Sequence, residues 1–495
     1  MSGSQKNSYG IPLSLREWLV CIFATLTLVF TAWSLGGYKT WALHLLFAGG
    51  MGTFLASIFP MPKSWNGYDQ QHGNLKNLKR LFLQPFFWAG LCFLVYILIQ
   101  YFNPSIVQVF GEKSWWVERM TPPLGANLPS SVKADYENMN ALRTFVIQAS
   151  AISLACGILV GIQRRKSALI ILWFFVISGV TMSFVAILQK LSGTDKILWV
   201  VEVLNKNPWG TFAYRNQGAA FLILVFLITG LLYFLYEKRA SIKLKQGGSH
   251  LFFLLCTFLL TGSIWLSLSR GGIILSLLML SVFILLALIN VDWSSVKHNL
   301  RKLFLLSTVC GILAWFFVLN LSDWQEIEKR WNNLEKITLK IENYDRYLCS
   351  KATFDMAQDQ LMYGWGAGSF RYIFPIYQTE YEGLLYFYDH RNKPYGRRVY
   401  NYAHNDWIQF LAEYGIIGTT LMGYLFFSLM ANLRAIFKVS RTSACFMMFG
   451  IMIVVIHNFV DFIFSSPSYW ITFFGSLLLI GKLYYLESNM KRVFD

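Results

Sequence analysis

The sequence predicts an all-α polytopic membrane protein with about 12 transmembrane helices and a large helical loop between the ninth and tenth helices. Its residues are 55% hydrophobic and only 14% charged, and the mean hydropathy is +0.44. Apolar segments recur along most of the chain, and one polar stretch of about eighty residues interrupts them near the C-terminal end. These observations are typical of a chain whose main solvent is the bilayer.

A helix that spans the bilayer needs roughly 20 mostly apolar residues. The candidate segments, in chain order, are 15–35, 41–59, 81–102, 144–163, 167–189, 217–236, 250–268, 271–290, 303–321, 408–433, 444–464 and 469–486. They divide the chain into three N-terminal spans (1–102), a loop (103–143), a six-helix core (144–320), a large loop (321–403) and three C-terminal spans (404–495).

The net charge of +17 is distributed by loop. Basic residues cluster in every second connection and at the C-terminus, whereas the segment 321–403 carries 11 acidic and 11 basic residues. This is the positive-inside pattern, so both termini and the basic connections are predicted to be cytoplasmic and the two large loops periplasmic. The basic excess sets the orientation in a bacterial inner membrane and does not indicate nucleic-acid binding.

The cysteines and the first apolar segment give further expectations. Six of seven cysteines lie in apolar segments, and Cys349 is alone in the large loop, so no internal disulfide is expected there. No Cys/His spacing indicates zinc, and no metal or cofactor is expected. The first apolar segment lacks a small-residue cleavage pattern and is long enough to span, which favours an uncleaved first helix.

The loops outside the membrane are where chemistry is expected. Loop 103–143 is rich in Pro and Gly and carries Trp115 and Trp116, which suits an interfacial cover. In the large loop, 323–342 has the spacing of an amphipathic helix, and a second helix is predicted from Asp345 to about Met362. Gly364, Gly366 and Gly368 then permit tight turns with amides near a ligand, although the segment is weak as a phosphate loop. The Tyr and Phe residues that follow suit carbohydrate or a loop docked on the surface.

Three arginines are notable for their positions at the outer membrane face. Arg215 precedes the sixth span, Arg270 lies between the seventh and eighth, and Arg346 opens the second helix of the large loop. Such an arginine often snorkels to the interface. Arg270 fits that explanation less well, because adjacent glycines bring the backbone close on the side where arginine is scarce. Several guanidinium groups in one pocket would suit a diphosphate.

The segment 402–418, YAHNDWIQFLAEYGIIG, places a histidine and polar neighbours before an apolar helix. A neutral imidazole at the interface is able to take a proton from a sugar hydroxyl near neutral pH. The ordinary alternative is a histidine that hydrogen-bonds at the helix start. Asn405 and Asp406 could cap the helix or orient the ring of His404, and Glu413 follows within the span.

Several blocks in order resemble the bacterial O-antigen ligase and polymerase superfamily, membrane glycosyltransferases that use undecaprenyl-diphosphate-linked glycans. They are GTFAYRNQGAAFL (210–222), SLSRGG (267–272), WGAGSF with YIFPIY (365–377), the histidine block 402–418 and HNFVDFIFSSPS (457–468). The resemblance covers roughly residues 200–470. The first three spans are similar only in character.

The resemblance implies a fold like that of other multi-span glycosyltransferases and a metal-independent, inverting transfer at the periplasmic face. The diphosphate-binding arginines map by motif to Arg215, Arg270 and, less directly, Arg346. The acceptor-activating histidine maps to His404, with Asn216, Asn405, Asp406, Glu413, Gly366 and Gly368 in support. Gln217 stands where many relatives carry histidine, so no catalytic role is assigned to it.

The acceptor stays open at this point. A ligase hands the glycan to lipid A core, a polymerase to another lipid-linked repeat, and a third relative to a protein hydroxyl. A transporter or flippase is the alternative from another class, but such folds favour internal repeats and mid-span charges, which the sequence lacks. A scaffold would not explain why His404 and the arginines share one face. His457 and Asp461, four residues apart, are explained adequately as a buried interhelical pair.

Overall fold

The computed structural model of the protein describes residues 14–60, 74–112, 114–203, 207–242, 248–290, 344–388 and 394–494. The predicted span 303–321 and the predicted amphipathic helix 323–342 lie outside the described residues.

Helices dominate the described chain, as the composition predicts. The helices are α1 (Leu15–Thr31), α2 (Thr40–Ile58), α3 (Asn74–Phe82), α4 (Pro85–Phe102), α5 (Ala141–Gly161), α6 (Arg165–Leu191), α7 (Arg215–Ile242), α8 (Ser249–Leu266), α9 (Arg270–Asn290), α10 (Asp345–Asp359), α11 (Phe370–Gln378), α12 (Glu382–Leu385), α13 (Asp406–Val439), α14 (Arg441–Val460) and α15 (Pro467–Phe494). Short 3₁₀ turns at Leu35–Gly37 and Ile463–Ser465 lie before α2 and α15.

Ten of these helices, namely α2, α4 to α9 and α13 to α15, are long and apolar enough to cross a membrane. Helix α1 has 17 residues and packs with them, mainly against α2 and α6. The predicted class of all-α polytopic membrane protein is therefore confirmed for the described part of the chain.

Helix α7 is the centre of the bundle. Its apolar stretch is buried along its whole length, and α6, α8, α9, α14 and α15 all pack against it. A helix that is hydrophobic all round needs such complete enclosure or lipid contact. Because α7 begins at Arg215 and is held by so many neighbours, its first residues have a fixed place at one end of the bundle.

Polar caps begin several helices. Asn140 accepts a hydrogen bond from the Arg143 amide at 2.8 Å at the start of α5, and Asn405 accepts one from the Ile408 amide at 3.3 Å at the start of α13. Each cap satisfies one of the amides that the first helical turn leaves without an intrahelical partner. The cap at Asn405 fixes where α13 begins, immediately after His404.

The two loops form a cap layer over one end of the bundle, which we call the loop end. Residues 104–133 form a three-stranded sheet in the order β2 (Trp115–Arg119), β1 (Pro104–Phe110), β3 (Ser131–Lys133), and β4 (Tyr386–Tyr388) pairs with β5 (Pro394–Arg397). Ile106 and Val132 of the sheet share a second apolar core with Cys349, Met356 and Phe374 of the large loop. The sequence patterns did not predict these strands, of which β3, β4 and β5 have only three or four residues.

Helix α13 is interrupted at Gly415, where φ is +63°. The loop that follows α10 is inserted at this point, because the amides of Ile416 and Ile417 donate to the carbonyls of Leu361 and Met362. A Cβ on Gly415 would lie 2.4 Å from the Met362 carbonyl oxygen, so only glycine fits there. The break locks the large loop onto the bundle helix that begins beside His404.

Candidate active site

Two large cavities meet at His404 under the cap layer. One has a volume of about 830 Å³ and the other of about 780 Å³. Both are lined by Tyr214, Tyr344, Arg346 and His404, so these side chains form the boundary between them. A group bound in either cavity would therefore lie next to the histidine.

The second cavity, which we call the arginine cavity, lies where helices of the bundle begin. Arg215 and Arg270 are the first residues of α7 and α9, and Asn405 caps α13; all three line the cavity. Helix N-termini present unsatisfied amides and a partial positive charge. The structure thus brings together the predicted residues Arg215, Asn216, Arg270, Arg346, His404 and Asn405. The arrangement is suited to an anion.

The arginines of this cavity differ in their existing partners. Arg346 donates to the Val460 carbonyl at 2.6 Å, and its guanidinium lies 3.6 Å from the Asp461 carboxylate. In contrast, Nη1 of Arg270 is buried without a hydrogen-bond partner in the described structure. A buried donor without a partner is costly unless a ligand satisfies it. Arg270 is therefore the arginine better placed to bind an anion directly.

Asp461 does not pair with His457, contrary to the interhelical pair expected from their spacing. Helix α14 ends at Val460, and Asp461 has extended dihedral angles, so the four-residue spacing does not continue on one helical face. The Asp461 carboxylate accepts hydrogen bonds from the Asn216 side chain and the Phe462 amide and pairs with Arg346. It holds α7 and α10 to the end of α14.

His404 adopts a left-handed backbone conformation with φ of +56°, which is uncommon for a residue with a side chain. The imidazole packs against Phe462 and Tyr400, at ring-centroid distances of 4.7 and 6.5 Å. Burial, with a smaller contribution from Arg346, lowers the pKa of His404 to about 4, although Asp461 and Asp345 oppose this. The ring is thus neutral at pH 7, and its Nδ1 is buried without a hydrogen-bond partner in the described structure.

Residues 255–423 match the family model described as O-antigen ligase. The matched segment is less than half of the chain, and it supports the resemblance to the O-antigen ligase/polymerase superfamily. It contains three of the five motif blocks and includes Arg270, Arg346 and His404. Arg215 and Asp461 lie outside the matched segment. A search of curated proteins finds no match.

The first cavity has an aromatic wall. Three rings are stacked in it: Phe462 lies between Tyr402, at 4.9 Å with an 11° interplanar angle, and Tyr214, at 4.7 Å with 23°. The guanidinium of Arg371 lies 5.7 Å from the Tyr402 ring centroid. We call this the aromatic cavity. Ring faces and phenol hydroxyls suit the surfaces of sugars.

Asp406 and Glu413 do not line either large cavity. Asp406 is buried and accepts a hydrogen bond from the Phe464 amide at 2.8 Å, which fixes the turn before α15. Together with Gly368 they line a separate cavity of about 50 Å³ beneath the site. Asp406 and Glu413 therefore support the segment that carries His404.

The expectation that the glycine segment offers its amides to a ligand is wrong. The amides of Gly368 and Phe370 donate to the Glu413 carboxylate at 3.1 and 3.3 Å, and that of Gly366 donates to the Glu413 carbonyl at 2.9 Å. The Ala367 amide is bound by the Gln100 side chain. Gly366 and Gly368 have positive φ and allow the loop to wrap around this carboxylate. They support the fold of the cap layer.

Sequence reasoning missed several residues of the two cavities. Phe462, Tyr214 and Arg371 form the aromatic wall, and Lys351 and His457 line the arginine cavity. The motif blocks contain a partial indication that Tyr214 and Phe462 belong to the site, because Tyr214 directly precedes Arg215 and Phe462 directly follows Asp461. No local pattern indicates that these rings stack, since they are about 250 residues apart in the chain.

Proposed function

We propose that the protein is an O-antigen ligase-like glycosyltransferase that moves a glycan from undecaprenyl diphosphate to an acceptor hydroxyl of lipid A core. The observation that carries the proposal is the meeting of the arginine cavity and the aromatic cavity at His404. A transfer between two substrates needs two binding spaces that share one reacting point, and this arrangement supplies them.

The arginine cavity is assigned to the lipid-linked donor. Arg215 and Arg270 would bind the diphosphate oxygens, and Arg346, already held by Asp461, would complete the positive wall. The same cavity is lined by Ile274, Phe459 and Val460, whose side chains are exposed on the outside of the bundle. An apolar opening of this kind suits a polyprenyl chain that stays in the bilayer while its diphosphate reaches the arginines.

The reaction follows from this placement. His404 takes the proton of the acceptor hydroxyl, and the hydroxyl oxygen attacks the anomeric carbon of the donor sugar. The bond from that carbon to the diphosphate oxygen breaks, and its electron pair stays on the diphosphate, where Arg215 and Arg270 stabilise the charge. Attack from the side opposite the leaving group inverts the anomeric carbon. The proton on His404 then passes to water.

The aromatic cavity is assigned to the acceptor. At about 830 Å³ it lies within the range of small-molecule sites, roughly 300–1,000 Å³, which is enough for a terminal sugar and its neighbour. The stacked rings of Tyr402, Phe462 and Tyr214 offer a flat face, and Tyr400 and Arg371 offer polar groups around it.

The loop end is assigned to the periplasmic side. The basic residues Arg165, Arg239 and Lys238 lie at the other end of the helices that begin or end there, where the first two pair with Glu487. This separation supports the positive-inside orientation. Labelling of single cysteines introduced at exposed Val399 and at exposed Phe437 by an impermeant reagent on intact spheroplasts tests it. Labelling at 437 but not at 399 would overturn the orientation.

The proposed chemistry is tested with purified protein, a lipid-linked glycan donor and lipid A core. Arg270→Ala and His404→Ala should each lower transfer by about 10²-fold or more, because each removes a group that acts on the reacting atoms. Arg397→Ala and His44→Ala are matched controls, since these exposed side chains lie outside both cavities and should leave transfer unchanged. Full transfer by the first two variants would overturn the mechanism.

The acceptor is tested in the same assay. Product that requires lipid A core identifies a ligase. Elongated donor formed without core identifies a polymerase, and glycan on added protein identifies an oligosaccharyltransferase. Uptake of lipid-linked glycan into vesicles without any new glycosidic bond would instead indicate a flippase.

A further inference from the structure

His457 is a buried polar side chain in the wall of the arginine cavity. It lies in the last turn of α14, its side chain is 2% exposed, and its ring reaches the cavity that contains Arg215 and Arg270. Its Nε2 atom is buried without a hydrogen-bond partner in the part of the chain that the structure describes. Buried polar atoms are nearly always hydrogen-bonded, so an exception in a side chain that lines a cavity points to a ligand.

The backbone of Gly271 and the carboxylate of Asp461 are the relevant neighbours of His457. A Cβ on Gly271 would lie 3.4 Å from Nε2, so the ring lies beside the backbone of the turn that carries Arg270. The nearest carboxylate along the chain, that of Asp461, is occupied by Asn216, Arg346 and the Phe462 amide. The Nε2 atom is therefore left without a partner among the described residues. Its ring lines the same cavity as Arg270, whose Nη1 is also buried without a partner there.

A neutral donor in this position has a distinct chemical use. The cavity already holds Arg215, Arg270, Arg346 and Lys351, and a further fixed cation would add repulsion among them. An imidazole with its proton on Nε2 adds a directed hydrogen bond without a charge. Such donors stabilise the charge that develops on a leaving oxygen when they are fixed before the reaction.

We propose that His457 donates a hydrogen bond from Nε2 to a phosphate oxygen of the lipid diphosphate and stabilises it as it leaves. This rests on the proposed function of the arginine cavity. The glycosidic carbon–oxygen bond breaks with its electron pair on the diphosphate. The His457 proton stays on the ring, so the step needs no further acid. His404 and His457 thus serve opposite sides of one transfer, the acceptor and the leaving group.

The test compares His457→Phe with His457→Gln. The phenylalanine variant fills the space without a donor and should lower kcat by about 10²-fold, the usual effect of losing one such donor, with the KM for the acceptor unchanged. Glutamine keeps an N–H of similar reach and should recover part of the loss. The stabilisation of the protein by added undecaprenyl diphosphate, measured as a shift in Tm, should fall in His457→Phe and persist in His457→Gln.

A structural role alone would lower the unliganded Tm of both variants and leave the shift caused by undecaprenyl diphosphate unchanged. That result, or wild-type kcat in His457→Phe, would overturn the proposal. If His457→Phe does not fold, Gly271→Ala supplies the second variant. Its methyl group would lie in contact with Nε2 at 3.4 Å, where it should keep a phosphate oxygen from that atom and weaken undecaprenyl diphosphate binding. Unchanged binding there would also overturn it.

The same experiment separates this inference from the proposed function. If Arg270→Ala and His404→Ala lose transfer while His457→Phe keeps it, only the role of His457 fails. If those two variants retain transfer, the assignment of the arginine cavity fails with it.

Discussion

The arginine cavity and the aromatic cavity are built from different kinds of structure. The first takes Arg215, Arg270 and Asn405 from the beginnings of bundle helices, around the enclosed helix α7. The second takes most of its wall from connecting segments, including residues 197–203 and 398–402. Groups on packed helices are held more precisely than groups on loops, and loops tolerate more variation.

This difference suggests why one scaffold could serve several acceptors. A lipid diphosphate would be the donor whether the acceptor is lipid A core, a lipid-linked repeat or a protein hydroxyl, and the rigid cavity suits such a constant partner. The acceptor is the partner that varies. Differences between acceptors would therefore be accommodated in the aromatic cavity, whose wall is built from loops. The two cavities should therefore respond differently to three changes. These are a substitution that releases the cap layer, a lower pH, and the removal of a ring from the aromatic wall.

The largest effect is expected from Glu413→Ala, which releases the cap layer from α13. The substitution leaves the buried amides of Gly368 and Phe370 without their acceptor, at a cost of roughly 1–3 kcal/mol each. We expect the free energy of unfolding to fall by about 2–6 kcal/mol. Thermal unfolding in detergent measures this, with Glu380→Ala as the control because Glu380 is exposed on the same loop.

The same variant sharpens the comparison of the cavities. In the fraction that stays folded, the KM for the acceptor should rise more than the affinity for undecaprenyl diphosphate falls. The bundle helices hold Arg215 and Arg270 independently of the cap, and only Arg346 lies on a helix of the cap layer. If acceptor binding and undecaprenyl diphosphate binding weakened equally, both cavities would depend on the cap layer to the same extent.

The role of Glu413 illustrates what the sequence could and could not predict. Hydropathy predicts the spans, and the positions of Arg215, Arg270 and His404 at span ends predict that they lie at one end of the bundle. The motif resemblance places Glu413 among the supporting residues without saying what it supports. Its contacts with the glycine segment could not be predicted, since they depend on a helix break at Gly415 and on an inserted loop.

The short strands and the aromatic wall escaped prediction for the same reason. Strand Ser131–Lys133 forms because it pairs with β1. The apolar core beneath the sheet joins loop 103–143 to the large loop, and these two loops are distant in sequence. The stack of Tyr214, Phe462 and Tyr402 unites three segments by tertiary packing alone. Local periodicity carries no information about such contacts.

The second effect concerns pH at the boundary between the cavities. In the free protein, burial and Arg346 lower the pKa of His404 to about 4. A diphosphate bound beside Arg346 adds negative charge, which favours the protonated imidazole and should raise this pKa. Since the reaction needs the neutral ring, activity should fall as the pH drops through the pKa of His404.

Two pH profiles measure this shift. The profile of kcat/KM for the donor reports the free protein and should lose activity only near pH 4. The profile of kcat reports the bound complex and should lose activity at a higher pH. Arg346→Gln should move the first profile to higher pH, because it removes a nearby positive charge. Coincident profiles in the wild type would contradict coupling between the arginine cavity and His404.

The smallest effect is expected from Tyr402→Leu in the aromatic cavity. The substitution removes the stack with Phe462 and the ring beneath Arg371, and an aromatic contact is worth about 0.5–1.5 kcal/mol beyond its buried area. The KM for lipid A core should therefore rise about 2- to 10-fold, with donor affinity unchanged. Tyr402→Phe keeps the ring and is the matched control. If Tyr402→Leu instead weakens undecaprenyl diphosphate binding and leaves the KM for the acceptor unchanged, the assignment of the two cavities must be exchanged, because the stacked rings would then serve the donor glycan.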